Sequence, residues 1–330
     1  MTPPVVTTRQ VRVDVHTHPG ERERALRADV LAGLTSSPKE LPPKWFYDER
    51  GSSLFDEITR LPEYYPTSRE RRILGERAPE IADLTKANTL VELGSGSGEK
   101  TRLLLDAMRS AGHLRRYVPF DVSERALRES VARIAGEYPG LEVHGVVGDF
   151  ERHLGPLPEG RRRMLAFLGS SIGNLTGEAR ARFLSGLRDL LAPSEALLLG
   201  ADLVKNVARL EAAYNDAAGV TAEFNRNVLA VLNRELRADF DLARFVHVAR
   251  FDREHEWIEM LLRSDCDQIV RFAALDLEVR FAAGEEMRTE VSDKFRRRGL
   301  EAELEAAGFE PVCFWTDPAG DFALLLSFAT

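Results

Sequence analysis

The stretch Glu92 to Thr101, ELGSGSGEKT, sets three glycines between an apolar run and a helical pattern, a turn suited to holding a nucleotide. Three chemistries compete for it: a phosphate cradle, a dinucleotide site, or a site for S-adenosylmethionine. A phosphate cradle reads G-x-x-x-x-G-K-[ST], and Lys100-Thr101 matches its end. Glu99, however, stands where the second glycine belongs, and a carboxylate there would repel phosphate. The dinucleotide fingerprint G-x-G-x-x-G, counted from Gly94, also requires glycine at 99. The spacing that fits is E-x-G-x-G-x-G, with Glu92, Gly94, Gly96 and Gly98. Glycines let the backbone turn sharply and approach a ligand closely, which suits the methionine tail of S-adenosylmethionine. Two acids support this reading. Asp121 ends PFDVS, where a carboxylate can take both ribose hydroxyls, and Asp149 with Phe150 ends GDF, where an acid and a ring suit adenine.

Such groups must be held at the ends of strands. The runs TLVELG (89–94), RYVPFDV (116–122), LEVHGVVGDF (141–150), MLAFLGSSIGNL (164–175) and ALLLGADLV (196–204) alternate with helical patterns. That alternation predicts an α/β, Rossmann-like parallel sheet with helices on both faces, its ligands at the carboxyl ends of the strands. Ahead of it lie a loose leader (1–20), a helix (21–34), a Pro-rich loop (37–51) and two helices split by PEYYP at 62–66. From about 205 comes one long helical stretch, ARLEAAYNDAAGVTAEFNRNVLAVLNREL, then strand-like FVHVARFD, EWIEMLLRS, QIVRFA and DLEVRFA. KFRRRGLEAELEAAGF, PVCFWTD and DFALLLSF then resume the α/β pattern, the last two as an antiparallel hairpin closing the sheet. The expected units are therefore 71–204 with 289–330 for the cofactor, and 21–70 with 205–288 as a second, α+β unit that recognises the substrate, with a cleft between them.

The 330 residues are 44% hydrophobic and 30% charged with a net charge of −8, a soluble profile that argues against a nucleic-acid partner. No run reaches the roughly 18–20 apolar residues of a membrane span. Cys266 and Cys313 form no CxxC pattern, so no disulfide framework is expected and a reducing cytoplasm fits. No heptad or long apolar edge is evident, and a monomer is expected. His16 and His18 in VDVHTHPG resemble a metal motif, but His113, His144, His153, His247 and His255 offer no matching arrangement, so no metal is expected. The arginine runs at 161–163 and 296–298 read as solvated faces.

A closer resemblance is carried by LPPKWFYDERGSSLFDEITRLPEYYPTSRE, VELGSGSGEKTRLLLDAM, FLGSSIGNL, YNDAAGVTAEFNRNVLAVLNREL and EVSDKF. These segments resemble the histidine Nα-methyltransferases of ergothioneine biosynthesis, over about residues 25–328. One departure is Gly98, where that family more often has Ser or Thr. The resemblance implies a class I methyltransferase fold and transfer of three methyl groups from S-adenosylmethionine to the α-amine of L-histidine, giving hercynine. It implies that Lys100 pairs with the cofactor's carboxylate, that Gly94 and Gly96 line its tail, that Asp121 binds ribose, and that Asp149 and Phe150 hold adenine. On the substrate side it implies Tyr64, Asn174 at the carboxylate and amine, Tyr214 at the carboxylate, and Glu290 with Ser292 at the imidazole. A carboxylate and a hydroxyl suit a ring with one donor and one acceptor nitrogen. Gly169, Ser171 and Met260 are further wall candidates, and Tyr47 a contact near the amine.

No residue stands out as a dedicated base; the amine's proton would pass to water or a tyrosine-linked relay, and aromatic faces such as Tyr64 or Phe55 could favour the growing cation. Taken singly, each residue has a plainer reading: Asn174 as a helix cap, Glu290 as a solvated acid, Tyr64 as loop packing. Competing functions are a methyltransferase acting on another amino acid or a small amine, a nicotinamide oxidoreductase, which Glu99 opposes, and a binding module without turnover.

Overall fold

The structure is a computed structural model that describes residues 11–16, 20–96, 98–150, 152–153, 155 and 162–330. The chain begins with β1 (Val11–Val15), α1 (Glu21–Leu34), the short β2 (Lys39–Glu40), α2 (Glu49–Ile58) and α3 (Tyr65–Thr85). The alternating part follows: β3 (Thr89–Leu93), α4 (Thr101–Ser110), β4 (Arg116–Asp121), α5 (Glu124–Glu137), β5 (Glu142–Val147), β6 (Arg163–Phe167), α6 (Gly177–Leu190) and β7 (Ala196–Asp202). Then come α7 (Val207–Ala213), α8 (Val220–Leu236), β8 (Phe245–Asp252), β9 (Trp257–Ser264), β10 (Gln268–Phe272), β11 (Leu277–Phe281) and β12 (Glu286–Asp293). The chain closes with α9 (Arg297–Ala306), β13 (Phe309–Thr316) and β14 (Phe322–Ala329).

The main sheet has the order β1-β5-β4-β3-β6-β7-β14-β13. Strands β1 to β7 within it are parallel, while β14 runs antiparallel to both β7 and β13, the expected closing hairpin. Central strands such as β3 and β7 are buried at every residue. Their continuous apolar runs follow from being covered on both faces. One face packs on α3, α4 and α5 through Leu74, Leu105 and Val131, the other on α6 and α9 through Leu184 and Leu304. The order reverses between β3 and β6, and a crevice opens there at the strands' carboxyl ends.

A second apolar core gathers α1, α2, α7 and α8 against the sheet β2-β12-β9-β8 and the β10-β11 hairpin, with Phe46, Ile58, Leu232 and Leu262 at its centre. Two of the three boundaries between the expected units fall inside elements, 70/71 within α3 and 288/289 within β12, while 204/205 lies between β7 and α7. Tyr65, the first residue of α3, belongs to the second core, while Ile73 to Ala82 of the same helix belong to the first. One rigid helix thus serves both units.

Three further expectations are corrected. The leader is not loose throughout, because Val11–Val15 pairs with Val143–Val147 as the edge strand β1, and Val13 packs on the core. The alternation in VRVDV is the physical reason. His16 follows this strand, and its backbone N–H donates to the Val147 carbonyl at 3.0 Å; His18 lies outside the described residues. The single long helix is two, because the Asp216 carboxylate accepts from the N–H groups of Val220 and Thr221 (3.0 and 2.7 Å) and starts α8 afresh. Arg163 is also no solvated residue: its guanidinium holds Glu195 at 2.7 Å. No described helix is long and apolar enough to cross a membrane.

Candidate active site between the two units

The glycine turn follows β3. Gly94 and Gly96 have φ of 68° and 47°, left-handed values that favour glycine, and an added Cβ would enter open space at both. The turn is thus a cradle that side chains would fill. It is anchored from below by Glu92, whose buried carboxylate accepts from Thr101 Oγ1 (2.6 Å) and Tyr117 Oη (2.6 Å). Burial pushes Glu92 up to about 7, against the pull of those two hydroxyls.

Asp121, at the end of β4, accepts from the backbone N–H groups of Gly96 and Ser123, both at 3.0 Å. Burial raises its pKa while these hydrogen bonds oppose the rise. Its oxygens retain lone pairs for a diol. Asp149 follows β5, its N–H donating to His153 Nδ1 at 3.0 Å, with Lys44 Nζ 3.9 Å from its carboxylate. Phe150 stands edge-on to Phe167 and Phe183, at 5.3 and 5.6 Å between centroids. Lys100 reaches the buried Glu70 of α3, whose other oxygen accepts from Gly169 N–H at 2.7 Å. All six residues expected around the cofactor therefore lie at or just beyond the carboxyl ends of the neighbouring strands β3, β4 and β5, where their donors and acceptors fit a nucleoside carrying an amino-acid tail.

A cavity adjoins this crevice. It is lined by all nine expected substrate residues (Tyr47, Tyr64, Gly169, Ser171, Asn174, Tyr214, Met260, Glu290 and Ser292) and by Phe55, Ile58, Ser170, Ala213, Thr221 and Phe224. The two halves meet at Gly169, where an added Cβ would lie 3.7 Å from Lys100 Nζ.

Local structure explains the convergence. Glu290 and Ser292 lie two apart on β12 and share a face, with Met260 of β9 directly opposite Glu290. A register shift between Arg288 and Glu290 sets that phase, and Thr289 there donates to Asn225 Oδ1 at 2.6 Å. Asn174 ends a 3-10 turn, Ser171–Asn174, that rests directly on β12: a Cβ on Gly173 would come within 2.9 Å of the Asp293 carbonyl oxygen. Tyr214 sits in the break after α7, where His247 Nε2 holds its carbonyl at 2.8 Å.

The Asn174 amide differs from expectation. Its nitrogen donates to Glu290 Oε1 (3.1 Å) and to the Val291 carbonyl (2.8 Å), which leaves its oxygen as the free group. An acceptor suits an amine and does not suit a carboxylate. Burial pushes Glu290 up to about 7, with the Asn174 amide and the Lys294 charge pulling the other way. Burial likewise raises the hydroxyls of Tyr47, Tyr64 and Tyr214 above their ordinary value, so none of the three is itself ionised near neutral pH. The hydroxyls of Tyr47 and Tyr64 have no hydrogen-bond partner among the described residues. Phe55 stands edge-on to Tyr47 and Tyr64, and Tyr64 to Tyr214, so part of the cavity wall is a cluster of aromatic rings.

Sequence reasoning missed Thr221 and Phe224, which α8 brings in, and Glu70, although Glu70 closes the quoted run PTSRE.

The description histidine-specific, S-adenosylmethionine-dependent methyltransferase matches residues 26–329. The chain belongs to that family. It is 63% identical over 303 residues to the histidine N-alpha-methyltransferase of Mycolicibacterium smegmatis, covering 92% of this chain and 94% of that one. It is 58% identical over 319 residues to the histidine N-alpha-methyltransferase of Mycobacterium tuberculosis, covering 96% and 99%. It is also 38% identical over 223 residues to ergothioneine biosynthesis protein 1 of Neurospora crassa, covering 64% of this chain and 25% of that one. The family supplies the cofactor class, and the Rossmann-like fold expected from the strand pattern is the fold observed.

Proposed function

We propose that this protein transfers three methyl groups from S-adenosylmethionine to the α-amine of L-histidine, giving hercynine in the first step of ergothioneine biosynthesis. One observation carries the reading: the crevice of Lys100 and Asp121 and the cavity of Glu290 and Asn174 meet at Gly169. A donor held in one half then faces an acceptor held in the other.

S-adenosylmethionine brings an already activated methyl on a sulfonium, so the protein's task is placement. Gly94, Gly96 and Lys100 seat the amino-acid tail, Asp121 takes the ribose, and Asp149 with Phe150 takes adenine. In the second unit, Glu290 and Ser292 take the imidazole, Tyr214 the carboxylate, and the Asn174 oxygen the amine. Holding amine and methyl in a near-attack geometry supplies most of the rate. The amine's proton leaves to water. Tyr47, Phe55 and Tyr64 wall the amine with aromatic faces, which favour a cation as methyl groups accumulate.

The test is mass spectrometry of L-histidine incubated with the protein and S-adenosylmethionine. Three successive methyl increments, localised to the α-nitrogen by fragmentation, are expected. Unchanged histidine, or methyl groups on the ring, would overturn the reading in favour of another amino acid or a small amine.

A further inference from the structure

The cavity must receive an α-carboxylate, yet its lining contains no Lys, Arg or His among the described residues. An anion moved from water into such a site needs a compensating charge. We propose that Lys294, which does not line the cavity, is the positioning residue through which the substrate's carboxylate is recognised, acting through the hydroxyl of Tyr214. This rests on the histidine reading above.

The Lys294 side chain is fully buried. Its Nζ lies 2.9 Å from Tyr214 Oη, 2.8 Å from Ser292 Oγ and 3.1 Å from Asp202 Oδ2. An ammonium has three N–H donors and no acceptor, and here all three are used. Each hydroxyl therefore accepts from Lys294. The two hydroxyls are also 2.8 Å from each other, so one donates to the other. That leaves a single O–H on the pair while the cavity is empty; with substrate bound the pair parts, and each hydroxyl, still accepting from Lys294, turns its own O–H to the substrate, Tyr214 to the carboxylate and Ser292 to the ring. The arrangement converts two ambivalent hydroxyls into donors of fixed direction, polarised by a positive charge one bond behind.

The surroundings keep that charge in place. Asp202 is also held by Tyr65 Oη, at 2.8 and 2.9 Å, and by Lys205. Two lysines thus face one aspartate, and the network keeps net positive charge behind the hydroxyls. Placing the charge there has a chemical consequence. A lysine exposed to the methyl donor would compete as a nucleophile, and a cation in the cavity wall would repel the trimethylated product. Lys294 avoids both, because its nitrogen is screened by two hydroxyls and its N–H bonds are all engaged.

The test compares L-histidine with histamine, which keeps the ring and the amine and lacks the carboxylate. Calorimetric affinities for both are measured with S-adenosylhomocysteine present, for the full-length wild type, Lys294→Met, Tyr214→Phe and the double variant. Wild type is expected to prefer histidine. Lys294→Met is expected to weaken histidine binding about tenfold or more, with a clearly smaller loss for histamine, which feels Lys294 only through Ser292, and S-adenosylhomocysteine binding within about twofold of wild type. On the Tyr214→Phe background the same change should cost clearly less, because its route to the substrate is already cut. A folded Lys294→Met that keeps the wild-type preference for histidine, or effects that simply add in the double variant, overturns the proposal. If Lys294→Met does not fold, Asp202→Asn with Lys294→Met removes both members of the buried pair and gives the same readout. A wild type that binds neither ligand overturns the histidine reading and this proposal with it; a wild type that methylates histidine without preferring it to histamine overturns this proposal alone.

Discussion

Replacing Glu290 by Gln keeps the side chain's size and leaves an oxygen for the Asn174 amide, while Asn174 also keeps its bond to the Val291 carbonyl. What is lost is a charged acceptor for the imidazole N–H. Such a hydrogen bond contributes about 1.5–3 kcal/mol, which is roughly 10- to 150-fold in affinity. The size depends on pH, because the acceptor exists only when Glu290 is ionised. With its carboxyl pushed up to about 7, the free protein is about nine-tenths ionised at pH 8 and about one-tenth at pH 6. Binding a neutral ring must expel that proton, so lower pH penalises wild type and leaves the variant untouched at this position. The histidine amine and ring titrate equally for both proteins and cancel in the ratio. The wild-type to variant affinity ratio should therefore be largest at pH 8 and fall about tenfold by pH 6. Calorimetry with S-adenosylhomocysteine present measures it, and S-adenosylhomocysteine affinity itself should stay within about twofold. A ratio near one at pH 8, or one that does not change with pH, refutes the assignment of Glu290 to the ring.

The remaining expectations concern the other half-site and the fold. Asp121→Asn replaces a charged acceptor by a neutral one and should weaken S-adenosylhomocysteine about tenfold or more; unchanged affinity would remove the ribose assignment. Gly94→Ala forces a side chain into a left-handed φ of 68°, costing roughly 1–2 kcal/mol of stability, and its Cβ intrudes on the crevice. Both a lower melting temperature and weaker cofactor binding should be seen, and cofactor binding of wild-type strength would mean the tail lies elsewhere. Phe55→Leu should slow the last methyl transfer most, by roughly 2- to 30-fold if the ring contributes the usual 0.5–2 kcal/mol to a cation. Accumulation of dimethylhistidine in time courses is the readout, and an unchanged product ratio excludes the ring. Glu92 is raised to about 7, so its contribution to stability is full below about 4.5 and is lost as pH climbs through 7. Melting curves of Glu92→Gln should therefore gain on wild type between pH 5.5 and 8.5, and parallel curves would show that Glu92 is not held neutral.

How far the fold could be read from sequence depended on where each signal lived. The strands at 89–93, 116–121 and 196–202 are legible because a strand covered on both faces must be apolar throughout. β1 was hidden because five residues, VRVDV, follow a Pro- and Thr-rich start and pair only with a strand some 130 residues away. The helix break at Asp216 was hidden because alanines on either side keep helical texture, and only the Asp216 carboxylate restarts the turn. The site shows the same division. Asp121 and Glu290 could be placed by strand ends and resemblance. The direction of the Asn174 amide could not, since it is dictated by an acceptor 117 positions later. Nor could the partners of Lys100 and Lys294, which come from elements that meet only in the folded chain.

Under the proposed function, those hidden partners also account for how one cavity would accept both a zwitterion and its trimethylated product. Glu290 carries the one carboxyl group among the described lining residues, and in that reading its charge serves the ring and not the amine. The carboxylate's counter-charge stands behind Tyr214 and Ser292 and not beside the amine. The amine's own neighbours are then the Asn174 oxygen and aromatic faces, none of which changes charge as hydrogen is replaced by methyl. Each added methyl removes an N–H that Asn174 could accept and adds apolar surface that Phe55 and Tyr64 can cover. The site therefore trades one kind of contact for the other across three transfers, with its fixed charges held at the opposite ends of the substrate.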